Sequence, residues 1–325
     1  TSGHEGQVVA RTEDLLRADG WQITRIPVTP GRDCLLATTG AEPIVTFSTH
    51  LDTVPPYIPP RLEGELLHGR GACDAKGIAA AMILAATELR DRGLPVALLL
   101  VVGEETAHDG ASAANAWATR HLSTRQRALI NGEPTESTLA VGTKGAMRVI
   151  VRTHGRAAHS AYPELGESAI SKLVRLLARV DDLQLPTDPV LGRTTINIGA
   201  ISGGVADNVI APVAEARLMA RTVGDSAAVW TVLREWAGNE AELEQGVTVP
   251  PVRLNVLDGF PTSVAAFATD IPSLGAWGRP YLFGPGSIHL AHTTHEHVRV
   301  DELQAAVDSY VSMGERLVAE AAEHR

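Results

Sequence analysis

Val96-Ala-Leu-Leu-Leu-Val-Val102, followed at once by Gly103-Glu104-Glu105, is the stretch on which the fold turns. An unbroken apolar run of strand length fits a strand covered on both faces, as in the interior of an α/β sheet. Adjacent carboxylates at the mouth of such a strand repel each other unless a cation compensates. On its amino side, Gly77 to Arg92 reads as a helix rich in alanine, leucine and isoleucine, stopped by Gly93. Further back lie short strands near Trp21–Pro27, Cys34–Thr38 and Ile44–Ser48. The pair Ser2 and Glu5 gives a capping-box start for a first helix that ends near Gly20. On the carboxyl side, a helix near Ala111–His121 and a strand at Arg127–Asn131 complete an α/β alternation.

The middle of the chain has another rhythm. Strands are expected at Gly145–Thr153, Thr194–Ile201, Val213–Arg221 and Val247–Leu254, with helices at Glu167–Val180 and near Ala227–Gly238. This β-α-β-β-α-β order is the split arrangement of a ferredoxin-like domain. Strand-then-loop character returns at Arg279–Phe283 and Gly284-Pro285-Gly286, and Val300–Glu323 forms a last helix. The expectation is therefore a discontinuous catalytic α/β domain with a mixed sheet, 1–143 and 255–325, and an inserted ferredoxin-like α+β domain, 144–254.

Composition narrows the function. At 325 residues the chain can bury a large core, and charged residues make up an ordinary 20%. A net charge of −10 with no basic stripe argues against a nucleic-acid partner. The longest apolar run, Leu94–Gly103, is too short to span a bilayer. Two cysteines, Cys34 and Cys73, make no disulfide framework and match no zinc ribbon. They read as small buried thiols in a reducing cytoplasm. The chain opens on Thr1 without a signal peptide, which reads as a trimmed N-terminus.

Charged and imidazole groups recur beside the strand-like runs. His50 and Asp52 follow one strand, Asp74 lies in Gly-Arg-Gly-Ala-Cys-Asp, Glu104 and Glu105 end the apolar run, and Glu133 follows Leu129–Asn131. Such groups are costly there unless paired or bound to metal. Ligand sites in open α/β sheets gather at the carboxyl ends of strands. In a His-x-Asp pair the carboxylate can orient the imidazole through its second ring nitrogen. Asp74 also suits a plain helix N-cap. His289, His292, His295 and His297 crowd the loop after Gly286. Nitrogen and oxygen donors in this mix suit zinc, cobalt or manganese.

These motifs resemble the dinuclear zinc amidohydrolases and peptidases that include acetylornithine deacetylase, succinyl-diaminopimelate desuccinylase, aminoacylase and bacterial glutamate carboxypeptidase. The likeness runs in order from SGHEG through HLDTVPP, GRGACDAKG, GEE, NGEPT, GRAAHSAYPELGESAI and NIGAISGGVADNVIAP to GPGSIHLAH. It implies two divalent ions per chain, zinc before cobalt or manganese, with Asp74 bridging them. His50 and Glu133 would complete one site, and Glu105 and His292 the other. His292 is chosen because Ala-His-Thr-x-x-Glu matches the family pattern; His295 stands where many relatives carry Asp or Asn. The resemblance also implies Glu104 as general base, Asp52 as orienter of His50, and His159 as oxyanion donor across a homodimer interface. Asn208 and Arg221, or Gly284 and Gly286, would hold the substrate carboxylate.

The leading expectation is a cytoplasmic deacylase of an N-acyl amino acid, of the acetylornithine, acetylcitrulline or acyl-lysine type. The alternative is a di- or tripeptidase or carboxypeptidase of the same family. A non-catalytic binding protein on this fold is a distant third, and a serine hydrolase is disfavoured because no Gly-x-Ser-x-Gly elbow occurs.

Overall fold

The apolar run forms a strand in which every residue from Val96 to Val101 is inaccessible to solvent. The computed structural model describes residues 1–123 and 127–323. The chain divides into two compact units, one made of Thr1–Val141, Leu254–Ser263 and Thr269–Arg325, the other of Gly142–Arg253 and Val264–Ala268. The first unit begins with α1 (Gly6–Ala18), β1 (Gln22–Thr29), β2 (Arg32–Thr38), β3 (Val45–His50), α2 (Lys76–Asp91), β4 (Val96–Val101), α3 (Asp109–His121) and β5 (Ala128–Asn131). The second unit is built from β6 (Gly145–His154), α4 (Ala169–Leu177), β7 (Thr195–Gly203), β8 (Val213–Thr222), α5 (Ser226–Ala237) and β9 (Glu242–Val249). The chain returns to the first with β10 (Arg279–Leu282) and α6 (Val300–Glu323).

In the first unit the sheet order is β1-β2-β4-β3-β5-β10. The β1–β2 and β2–β4 pairs are antiparallel, while β4–β3, β3–β5 and β5–β10 are parallel. Four parallel strands therefore end at one edge, and the order doubles back around β3. Helix α2 packs on β3, β4 and α6, and α3 packs across β1, β2 and β4. Covering of this kind lets β4 be continuously apolar rather than alternating. Leu98, Leu99 and Leu100 each remove a large side chain from water, about 1.5–3 kcal/mol apiece.

In the second unit the order is β7-β8-β6-β9, all antiparallel neighbours, which is ferredoxin-like. One face is a core of Val149 and Val151 from β6, Ala216 and Leu218 from β8, Leu173 from α4 and Leu233 from α5. The helices begin at side-chain caps: Ser168 Oγ accepts from Ser171 N at 3.2 Å, and Asp225 Oδ1 from Ala227 N at 2.9 Å.

Three expectations need correction. Ser2 does not cap α1: the helix starts without a side-chain cap, and Ser2 and Glu5 are spent on tertiary partners described below. The last strand of the second unit is Glu242–Val249, followed by a separate short piece at Val252–Arg253, rather than Val247–Leu254. Pro250 and Pro251 lie between, and neither can donate to a ladder. Segment Val264–Ala268 belongs with the second unit, so the chain visits that unit twice.

Candidate metal centre

The parallel strands deliver the site. β3 ends on His50, β4 is followed by Glu104 and Glu105, and β5 by Glu133; Asp74 lies just before α2. Asp74 is not the cap of that helix; Ala75 is, without a side-chain bond, and the Asp74 carboxylate turns to two imidazoles instead. His50 Nε2 lies 2.9 Å from Asp74 Oδ1 and 3.9 Å from Glu133 Oε2. His292 Nε2 lies 3.3 Å from Asp74 Oδ2 and 2.9 Å from Glu105 Oε2. These residues form two groups, His50–Asp74–Glu133 and Asp74–Glu105–His292, and within each the donor atoms all fall within 4.8 Å of one another. Asp74 is common to both, one carboxylate oxygen facing each imidazole.

Electrostatics in the protein alone are unfavourable, and that is informative. Burial pushes the Glu104 carboxyl up to about 8, the opposing pull of His50 notwithstanding, and Asp270 and Asp74 add to the rise. Glu133 is driven well above its ordinary value by burial, with Glu104 and Asp74 adding to it. Glu133 Oε1 is buried with no hydrogen-bond partner. Burial would depress the His50 imidazole, but hydrogen bonds to Asp52 and Asp74 outweigh it and raise it well above normal. Clustered carboxylates and an orphaned oxygen are the environment a cation relieves. The donors are nitrogen and oxygen throughout. Cys73 adjoins Asp74 but turns its sulfur to Ser287 O at 3.5 Å, and burial raises its thiol further from ionisation.

The supporting residues are as ordered as the donors. His50 Nδ1 is closer to the main-chain oxygen of Asp52, 3.0 Å, than to its Oδ1, 3.5 Å. The Asp52 carboxylate instead accepts from Ser2 Oγ at 2.6 Å and from the backbone N–H groups of Glu104 and Glu105, each at 3.2 Å. Glu296, 1% exposed, accepts the N–H groups of Gly71, Cys73 and Asp74 on Oε1 and the Arg70 guanidinium on Oε2 at 2.5 Å. One loop thus supplies His292 and clamps the turn that carries Asp74.

The Glu104 turn is fixed from its far end. Gly103 sits at φ 79°, and a Cβ there would stand 2.2 Å from Asp109 Oδ1, so only glycine fits. Arg32 bridges Asp109 to Glu5, and His108 Nδ1 meets Asp270 Oδ1 at 2.8 Å while lying 4.0 Å from Glu104 Oε1. The sequence assigns no role to Glu296, Arg32, His108 or Asp270, and gives Ser2 only the helix-cap role corrected above. Only Glu296 carried a signal, as the last letter of Ala-His-Thr-x-x-Glu.

Gly284 and Gly286 follow β10, and both carbonyls are taken by the turn after Glu133: Ser137 N donates to Gly284 O and Glu136 N to Gly286 O, each at 2.9 Å. His289 and His295 are exposed, and His297 lies beside His68 with ring centroids 5.1 Å apart. His159, Asn208 and Arg221 belong to the second unit. There His159 pairs across an isolated bridge with Val209, Ser160 N donates to Asn208 O at 3.0 Å, and Arg221 sits on β8 one residue from core Ala220, so it points to the other face.

Residues 46–316 match the model of peptidase family M20/M25/M40. The chain belongs to the M20 peptidase family. It is 36% identical over 361 residues to a probable carboxypeptidase of Aspergillus fumigatus, covering 95% of this chain and 82% of the relative. Among solved structures, a tripeptidase of Staphylococcus aureus superposes with a TM-score of 0.80 at 20% identity, over 98% of this chain and 94% of that one. The YXEP protein of Bacillus subtilis, described as a dinuclear metal-binding peptidase of the M20 family, gives 0.71 at 16% identity, over 98% and 92%. Membership in this family and the paired donor groups make the protein a metal-dependent hydrolase. Among the described residues, no helix is long and apolar enough to cross a membrane.

Proposed function

We propose that the protein is a metallo-carboxypeptidase that removes the C-terminal residue from short peptides. The observation that carries the reading is the pair of donor groups sharing Asp74, with Glu104 fixed beside them. The carboxypeptidase name of a relative aligned over nearly the whole chain supports peptides as substrates ahead of N-acyl amino acids.

His50, Asp74 and Glu133 would hold one divalent ion, and Asp74, Glu105 and His292 the other. When bound, such a pair supplies a polarised water and a Lewis acid for the scissile carbonyl. Glu104 accepts the proton of the attacking water and returns it to the leaving amine. Its elevated affinity for protons suits the second task, and the Asp52 carboxylate fixes its backbone. Asp52 also holds the Glu105 backbone and the near side of His50. His159 would donate to the developing oxyanion from a second copy of the chain in a homodimer. Asn208 and Arg221, or the Gly284–Gly286 loop, would receive the substrate carboxylate; of the loop, the Gly284 N–H already donates to Thr135 Oγ1 at 3.0 Å. Family resemblance is the support for these last assignments.

The test is a matched panel of initial rates, with zinc, cobalt or manganese and with chelator. It would hold N-blocked dipeptides, free di- and tripeptides, their C-terminal amides, and acetyl amino acids including acetylornithine. Chelator-sensitive release of the C-terminal residue, abolished by amidation, is expected. Faster hydrolysis of acetyl amino acids than of every peptide would replace this reading with the deacylase one.

A further inference from the structure

We propose a second ligand site in the first unit, specific for a small organic carboxylate and separate from the metal centre. A cavity of about 580 Å³ opens between the start of α1, the segment Tyr57–Pro60, the turn Gly69–Ala72 and the first turns of α2. That volume suits an amino-acid-sized molecule. None of the five metal-donor residues lines it.

Its charge is the opposite of the protein's. The chain carries a net charge of −10, yet this wall includes His4, His68, Arg70 and Lys76 and, among the described residues, no aspartate or glutamate. Arg70 is committed to Glu296. Lys76 makes no hydrogen bond or close ion pair among the described residues: its half-buried ammonium packs against Gly71, in the longer-range field of Asp52, Glu296, Asp74 and Glu105. His68 Nε2 is buried without a hydrogen bond, 3.6 Å from Glu63 Oε2. Most of the remaining wall is apolar, with Val8, Leu51, Ile58, Leu67 and Leu303, while Gln7, Thr53 and Tyr57 add neutral polar groups. An ammonium with its hydrogen bonds unmade, beside a mainly apolar wall, recognises one carboxylate on a hydrocarbon body. The occupant touches Leu51 and Thr53 on either side of Asp52, and Lys76 and Gly77 just after Asp74–Ala75.

Hexanoate is the probe, with hexanamide as its uncharged match, each titrated calorimetrically into metal-loaded protein. Ala80 is exposed on the cavity rim, so Ala80→Trp fills the space without entering the core. Lys76→Met removes the charge. Hexanoate is expected to bind on the order of tenfold or more tightly than hexanamide and to lose about that factor in either variant. Equal binding of acid and amide overturns the proposal. So does hexanoate binding that survives Ala80→Trp but vanishes with chelator, because the carboxylate then sits on the metals. A crystal structure with the cavity filled by the protein's own chain overturns it as well. If Lys76→Met fails to fold, Ala80→Trp alone decides.

Discussion

Asp52 belongs to neither donor group, yet it receives hydrogen bonds from Ser2 and from the amides of both Glu104 and Glu105. Its carboxylate fixes local backbone geometry, whereas the proposed bridging and general-base roles fall to Asp74 and Glu104. Asp74→Ala should release both ions, so two-metal stoichiometry retained by elemental analysis would end its bridging assignment. Glu104→Gln should keep the ions and the fold while kcat falls about 10²–10⁴-fold; near-normal turnover would remove it as the base. His108 offers a pH readout. Burial opposes its protonation, but the hydrogen bond to Asp270 prevails and raises its pKa, with Glu104 and Asp52 adding to the effect. A raised folded value gives stability that is full below the unfolded value of about 6.5 and drains away as pH climbs through the folded one. In metal-free protein, wild type should therefore exceed Asp270→Asn most between about pH 5 and 6.5, and less at alkaline pH. A pH-independent difference in Tm would count against the pair being ionic.

At the scale of elements, legibility followed burial. β4 could be read because a strand buried on both faces is apolar throughout, and α2 and α6 because apolar residues recurring at helical spacing over a long segment leave few alternatives. β9 is misplaced because it is an edge strand, Glu-Leu-Glu-Gln-Gly, in which only Leu243 packs on the core and the other residues are exposed, too little for a readable pattern. The donors were conspicuous as charges placed where charge is costly. Their supports were not: Ser2 imitates a helix cap, and Asp270 and His108 lie in loops whose partners are far apart in sequence. Glu296 is the element-scale test. Glu296→Ala would leave Arg70, 2% exposed in its side chain, as a buried uncompensated charge, at about 3–5 kcal/mol. Urea unfolding with a loss under 1 kcal/mol would show that water or another group takes over, a figure of about the size of an ordinary exposed ion pair.

For the whole molecule, ions that bind the native state alone stabilise it by mass action. Chelation should lower Tm, by an amount equivalent to about 4 kcal/mol if free ion had stood a thousandfold above its Kd, and re-addition should restore it; an unchanged Tm would mean the donor groups are already satisfied without ions. The two visits the chain makes to the second unit have a practical meaning for anyone cutting the gene. Lys144 N donates to Ala265 O at 2.9 Å, so a fragment ending at Arg253 would strand that amide on an open edge. The shortest self-contained excision therefore runs to Ala268 and carries Leu254–Ser263 along as a tether, a passenger that any expression boundary drawn from a simple insertion would leave behind.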